Sequence, residues 1–365
     1  MKSFIHRVTA SILAVCLSVT LFAACKQQPT VTEKTTLNAL LIVSELGDKS
    51  FNDSAAEGMK KAEKDFGITL TMQETKKDKV KVCDALETAS KDGKYNIICV
   101  SSTEDGAAGK WLLDNSAKYP KIKYIHYDAS HELKYSNDNV QYITFNQSQA
   151  DFLAGALAAL VSKTKVVAFI GGSKDETIDD FLVGFLSGVK YVNNGTKVYV
   201  DYVGDWSSTD KAYEIAQKAS GMNADVIHAV AGGAGDGALS YCAENGIKFI
   251  GVDSDQYGVY LETAPEKANV IITSVLKECG VALYNAIGYI SKGVFVPGIS
   301  EYDLSNGGTC LVKNDFYRTQ VSNDIRSLIG NYQQKIIDGS IKVPTAYNME
   351  AVVLEELLEN YSLNK

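Results

Sequence analysis

The chain lacks any excess of positive charge: 36 Lys and Arg stand against 44 Asp and Glu, a formal net charge of −8 over 365 residues. Proteins hold nucleic acid by neutralising its phosphates, so this balance argues against it as a partner. Histidine is scarce, 4 in all, and none sits in an HExxH or i, i+4 pair, so no metal centre is expected. The 7 cysteines include no CxxC spacing. Beyond Cys16 and Cys25, the thiols of Cys83, Cys99, Cys242, Cys279 and Cys310 lie in apolar or helical contexts and read as buried, not as a disulfide framework or zinc site. No GKS or GKT follows a glycine cluster, which excludes a Walker A loop. "AGGAGDG" at 231–237 does not spell G-x-G-x-x-G and comes late in the chain, which argues against a dinucleotide site. No Ser, His or Cys carries an activating motif, and neither "DSD" at 253–255 nor "DD" at 179–180 forms the one-loop carboxylate cluster that a nucleoside hydrolase needs. The chain is therefore expected to be no enzyme and to need no cofactor. After residue 25, no apolar run reaches the roughly 18 residues that span a bilayer.

What is present begins with the amino terminus. Lys2 and Arg7 precede the run "VTASILAVCLSVTLFAA" and then Cys25, with no acid among residues 1–25. This is the layout of a secretory signal. A cysteine directly after Ala23 and Ala24 resembles the bacterial lipobox, whose thiol is lipidated and becomes the first mature residue, although Phe22 stands where Leu is usual. The alternatives are an uncleaved anchor helix, or ordinary cleavage with Cys25 incidental. Residues 26–36, "KQQPTVTEKTT", are polar and aperiodic and read as a flexible tether. The expected location is the cell membrane, lipid-anchored through Cys25, facing the periplasm or cell exterior.

The body alternates strand-like and helical patterns. Strand candidates are "ALLIVSE", "ITLTMQE", "NIICVSS", "IKYIHYD" and "VQYITF", then "VVAFIGG", "KVYVDYV", "DVIHAVA", "IKFIGVD" and "VIITSV". Amphipathic stretches such as "QADFLAGALAALVSK" and "DKAYEIAQKASG" lie between them. Such β-α alternation predicts parallel sheets with crossover helices. The pattern restarts near residue 146, and 365 residues suffice for two domains. Two similar α/β domains follow.

Ligands of parallel sheets collect at the carboxyl ends of strands. The first such end is "SELGDKSFNDSAAEG" at 44–58, a βα loop whose helix Asn52 or Asp53 is expected to cap. It offers Glu45, Asp48, Phe51 and Asn52. Later strand ends in the first half carry Ser101, Ser102 and Asp128; those in the second carry Gly171, Gly172, Asp205, Trp206, Gly232, Gly233 and Asp253. Phe51 and Trp206, one from each half, could sandwich a flat ring, each stack being worth roughly 1 to 3 kcal/mol. Asp253, in "IGVDSDQ", could accept two adjacent hydroxyls by charge-assisted bonds.

At this point the residues resemble a family. "DKSFND" with "EGMKKA" behind it, "QADFLAGALAA", "VIHAVAGGAGDGAL", "FIGVDSDQ" and "IITSVLKECGVALYNAI" resemble, in order, the basic membrane protein family of lipoproteins. The resemblance covers nearly all of the mature chain. It implies a type I periplasmic binding protein fold, α/β, with two doubly wound parallel-sheet lobes joined by a hinge of several crossings, at about 145–148, 272–276 and near 305. The implied division is 1–25 signal, 26–36 tether, 37–146 plus 274–305 one lobe, and 147–273 plus 306–365 the other. It further implies a monomeric solute receptor that takes a purine nucleoside (adenosine, guanosine or inosine) and delivers it to an ABC importer permease. Carried over by position, Phe51 and Trp206 become the stacking walls, Trp206 standing where Phe is usual. Glu45 becomes the acid at the base, in a loop that is shorter than in relatives and has Glu for the common Asp. Asp128, Gly232 and Asp253 complete the base and ribose contacts. Lys277 matches the lysine that reaches the ribose; without the family it would read as a solvated helix residue. A sugar receptor of the same fold and a surface adhesin are the alternatives.

Overall fold

The structure, a computed structural model, describes residues 36–102, 106–131, 137–347 and 351–364. Cys25, the signal segment and the tether up to Thr35 lie outside the described residues. Thr36–Lys365 form one compact unit.

Two sheets account for the β-α alternation. The strands are β1 (Asn38–Val43), β2 (Thr69–Glu74), β3 (Ile97–Ser101), β4 (Lys123–Tyr127), β5 (Val140–Phe145), β6 (Val166–Gly171), β7 (Lys197–Tyr202), β8 (Val226–Val230), β9 (Lys248–Val252), β10 (Ile271–Lys277), β11 (Gly298–Tyr302) and β12 (Thr309–Leu311). The first sheet runs β11-β5-β4-β3-β1-β2, all parallel. The second runs β12-β10-β9-β8-β6-β7, with only β12 antiparallel. Each is doubly wound: the order reverses between β1 and β3 in one sheet and between β6 and β8 in the other. Side chains such as Leu40, Leu41, Phe169 and Ile227 are buried on both faces by flanking helices, which is why these strands read as continuous apolar runs instead of alternating ones.

The chain passes between the sheets three times. It leaves β5 at Phe145 for the helix Gln147–Val161, which packs on the second sheet. It returns at Glu278 and passes finally between β11 and β12. The second crossing thus lies later than the expected 272–276, because β10 stays paired with β9 through Val275 and with β12 through Lys277. The returning helix Cys279–Ser291 meets the helix Phe51–Phe66 at a glycine pair. A Cβ on Gly58 would sit 2.1 Å from the Gly280 carbonyl oxygen, so the two backbones approach as only glycines permit.

Sequence patterning missed β11, β12 and the last helices, Asp315–Gln320, Asn323–Ile337 and Ala351–Tyr361. After the last of these, the tail lies along the edge strand β7. Leu363 N donates to Val198 O at 2.8 Å, and the Asn364 side chain bonds both Val200 N and Val200 O, at 2.9 and 2.6 Å. An otherwise open sheet edge is covered.

Candidate ligand-binding cleft

The loop after β1 is organised by one carboxylate. Asp48 Oδ1 accepts from Ser50 N (3.0 Å) and Asp53 N (3.1 Å), while Oδ2 accepts from Asn52 N (2.9 Å) and Asn52 Nδ2 (2.8 Å). The helix therefore starts at Phe51 and is capped from Asp48, not by Asn52 or Asp53 as expected. The reason is geometric: both residues fall inside the first turn, and their side chains turn back to the loop. Asn52 Oδ1 accepts from Ser44 N, and Asp53 accepts from Gly47 N and Lys49 N. This folding brings Ser50 and Phe51 to the carboxyl end of the sheet.

Four of the expected residues meet there. Lys277 ends β10 and is 3 % exposed. It is not a solvated helix residue, since Nζ contacts Asp128 Oδ2 at 2.9 Å and lies 4.8 Å from the Phe51 ring centre. The ring of Phe51 stacks on Tyr127 at 5.7 Å. Asp253 is buried, and its Oδ2 accepts the Ser50 hydroxyl at 2.6 Å. Asp128 and Asp253 each follow the fourth strand of their sheet, and both hold left-handed backbones, φ 56 and 63. A non-glycine residue there costs energy and marks sites the surroundings hold in place.

The electrostatics follow from burial. Desolvation pushes the Asp253 carboxyl up to about 6 despite the nearby Lys277. Burial also works against the Lys277 ammonium, but neighbouring anionic groups, Asp128 foremost, outweigh it and hold the lysine above its ordinary value. The cluster is one cation between two carboxylates, under an aromatic face.

The second lobe contributes an aromatic wall. Trp206 is 37 % exposed, and its ring lies where a Cβ on Gly172 would sit, 2.4 Å from Cζ3; Gly232 is at van der Waals distance. The two glycines give the indole its seat. Asp205 fixes this loop by accepting from Ser207 N and Ser208 N at 2.8 and 2.7 Å, and the Ser208 hydroxyl bond foremost holds its carboxyl well below the usual range.

The lobes touch across the cleft. Besides Ser50 and Asp253, Ser254 Oγ donates to Lys49 O at 2.9 Å, Lys49 Nζ stands 4.6 Å over the Tyr260 ring, and Gly233 faces Asp48. Ser50, Lys49, Ser254 and Tyr260 were missed by sequence reading. The first three flank expected residues; nothing in the sequence marks Tyr260. Glu45 is engaged apart from the cluster: Oε2 meets Lys77 Nζ at 3.2 Å, with the two side chains 46 % and 34 % exposed. Among the described residues no group of three or more His, Cys, Asp or Glu is placed to hold a metal ion, and no helix is long and apolar enough to cross a membrane. Cys83, Cys99, Cys242, Cys279 and Cys310 are free thiols, with Cys83 and Cys310 only half-buried.

The sequence profile described as "ABC transporter substrate-binding protein PnrA-like" matches residues 35–346. The chain belongs to this family. Basic membrane protein A of Borreliella burgdorferi is 30% identical over 355 residues, covering 95% of this chain and 99% of that protein. The "ABC transporter nucleoside-binding protein BmpA" of Lactococcus lactis is 29% identical over 368 residues, covering 94% of this chain and all of that one. Among solved structures, an ABC transporter solute-binding protein from Aeropyrum pernix superposes with a TM-score of 0.76 at 25% identity, covering 89% of this chain and 97% of the other. The fold is that of type I periplasmic binding proteins, and the protein is a solute-binding component of ABC transport. The family is one of substrate-binding proteins.

Proposed function

We propose that this protein captures purine nucleosides between its lobes and delivers them to an ABC-type importer while anchored through a lipid on Cys25. One observation carries the reading: Lys277, Asp128 and Asp253 gather under Phe51 where the two sheets point at each other. Aromatic faces take a flat base, and charged hydrogen-bonding groups take vicinal hydroxyls. In this reading Phe51 and Trp206 are the walls, and Asp128, Asp253, Lys277 and Gly232 meet base and ribose. Asp48 and Asn52 shape the loop, while Glu45 reaches a base only by leaving Lys77. The name of the Lactococcus relative supports the ligand class.

Titration with adenosine, guanosine, inosine, uridine, free adenine and ribose tests it. Purine nucleosides are expected to bind, and Phe51→Ala or Trp206→Ala to weaken them by about 1 to 3 kcal/mol each, the range for one lost stack. Ribose binding while every nucleoside fails would favour a sugar receptor, and no solute binding at all would favour an adhesin.

The anchor has its own test. Cys25→Ala should abolish lipid labelling and release the protein from membrane fractions, because the acyl chains carried on this thiol are the proposed attachment, and a protein stripped of them has no buried CH₂ groups to hold it at the bilayer. Continued labelling of the variant would refute lipidation at this thiol.

A further inference from the structure

Tyr347 stands one residue past the stretch matched by the family profile, in a segment to which ligand capture assigns no task. The second lobe pins that segment. Asp180, buried on the helix Glu176–Val192, accepts from the Thr345 hydroxyl (2.6 Å) and the Ala346 amide (2.9 Å) through Oδ1, and from Ser148 N (3.2 Å) through Oδ2. Tyr347 then reaches the first lobe. Its ring stacks on His131, with centres 4.1 Å apart and planes at 21°. Its hydroxyl accepts from Gln147 Nε2 at 2.7 Å, and Gln147 sits on the first crossing between the sheets.

His131 belongs to the loop that carries Asp128. That loop leaves β4 through the left-handed Asp128, is tied by Ala129 N to Ile143 O at 2.8 Å, and places His131 Nε2 3.3 Å from the Phe145 carbonyl. A strained backbone persists only where its surroundings hold it. Among the described residues, Lys277 on Asp128 and Tyr347 on His131 hold this loop from the other lobe.

We propose that Tyr347 is a clasp: stacked on His131 beside the hinge, it holds the lobes closed and positions the Asp128 loop for Lys277. It is a positioning residue, acting through His131. Its effect on capture rests on the nucleoside reading; its effect on closure does not.

Small-angle scattering and inosine titration of residues 26–365 test the clasp, since Thr36–Lys365 is one compact unit. Tyr347→Ala should raise the radius of gyration without ligand and weaken inosine about three- to tenfold, the worth of one aromatic pair. Tyr347→Phe keeps the ring and should scatter like the parent. His131→Ala should open the lobes from the opposite side, and it decides the matter if Tyr347→Ala fails to fold. An unchanged radius in the folded alanine variants overturns the clasp, as does a lower melting temperature without opening, which packing alone would produce. If the parent binds no nucleoside, the ligand reading fails, and the scattering still decides the clasp.

Discussion

Lys277→Met should destabilise the protein by about 3 to 5 kcal/mol at neutral pH, the cost of removing one partner from a buried ion pair. The side chain is 3 % exposed and stands against Asp128 at 2.9 Å, with Asp253 close by. Methionine fills a similar volume, so the loss is electrostatic: the buried Asp253 and the half-buried Asp128 are left near each other without a cation. The protein has two ways to relieve this, protonating Asp253 or opening the lobes to admit water. The loss should therefore shrink as pH falls, and the radius of gyration should grow at neutral pH. Denaturation of Lys277→Met alone and combined with Asp128→Asn measures the pair; the second substitution should restore much of the first loss. A loss below about 1 kcal/mol would place Lys277 among ordinary surface charges.

The stability contribution of the buried aspartates and the binding of ligand should respond to acid in opposite directions. Burial raises the carboxyls of Asp253 and Asp180 to about 6, against about 3.9 for an aspartate in the unfolded chain. Between those values the folded protein holds protons that the unfolded chain has released. The contribution of these two groups is therefore fully present below about pH 4 and lost as pH rises through about 6, at up to about 3 kcal/mol each. Asp151, Asp175 and Asp179 are raised by burial as well and act in the same sense, while Asp205 and Asp236 are lowered and oppose them. Burial lowers His126 and His131, whose contribution is lost as pH falls below about 6.5 and opposes the aspartates over this interval. Denaturation of parent and Asp253→Asn at pH 5.5 and 7.5 separates the two, and the variant should gain stability relative to the parent at pH 7.5 but much less at pH 5.5. Nucleoside binding should weaken over the same interval, because a protonated Asp253 loses its charge-assisted bonds to hydroxyls. Affinity that is level from pH 7.5 to 5.5 would remove the ionised carboxylate from recognition.

Much of the cleft could be found in the sequence because strand ends are local features. "IKYIHYD" and "IKFIGVD" place Asp128 and Asp253 directly after apolar runs, and in a parallel sheet that position faces ligand whatever the rest of the chain does. Lys277 was harder. Its neighbours read equally as strand or helix, and its burial follows from β10 pairing with both β9 and β12. The helix cap was misread because Asp48, Asn52 and Asp53 are all competent caps. The backbone turn at Gly47 and Lys49, at φ 91 and 52, selects Asp48.

The sequence by itself determined two α/β lobes, the strands β1 to β10 and the residues at their carboxyl ends, since hydrophobic period and turn residues act over a few neighbours. Only the tertiary structure decided which of those residues meet. Ser50 and Asp253 lie 203 positions apart and Lys277 and Asp128 lie 149 apart, yet they bond across two sheets. Glu45, beside them in the first loop, pairs with Lys77 instead. Such long-range pairings depend on where three crossings return the chain, and on a low dielectric that makes an unpaired buried charge too costly to keep.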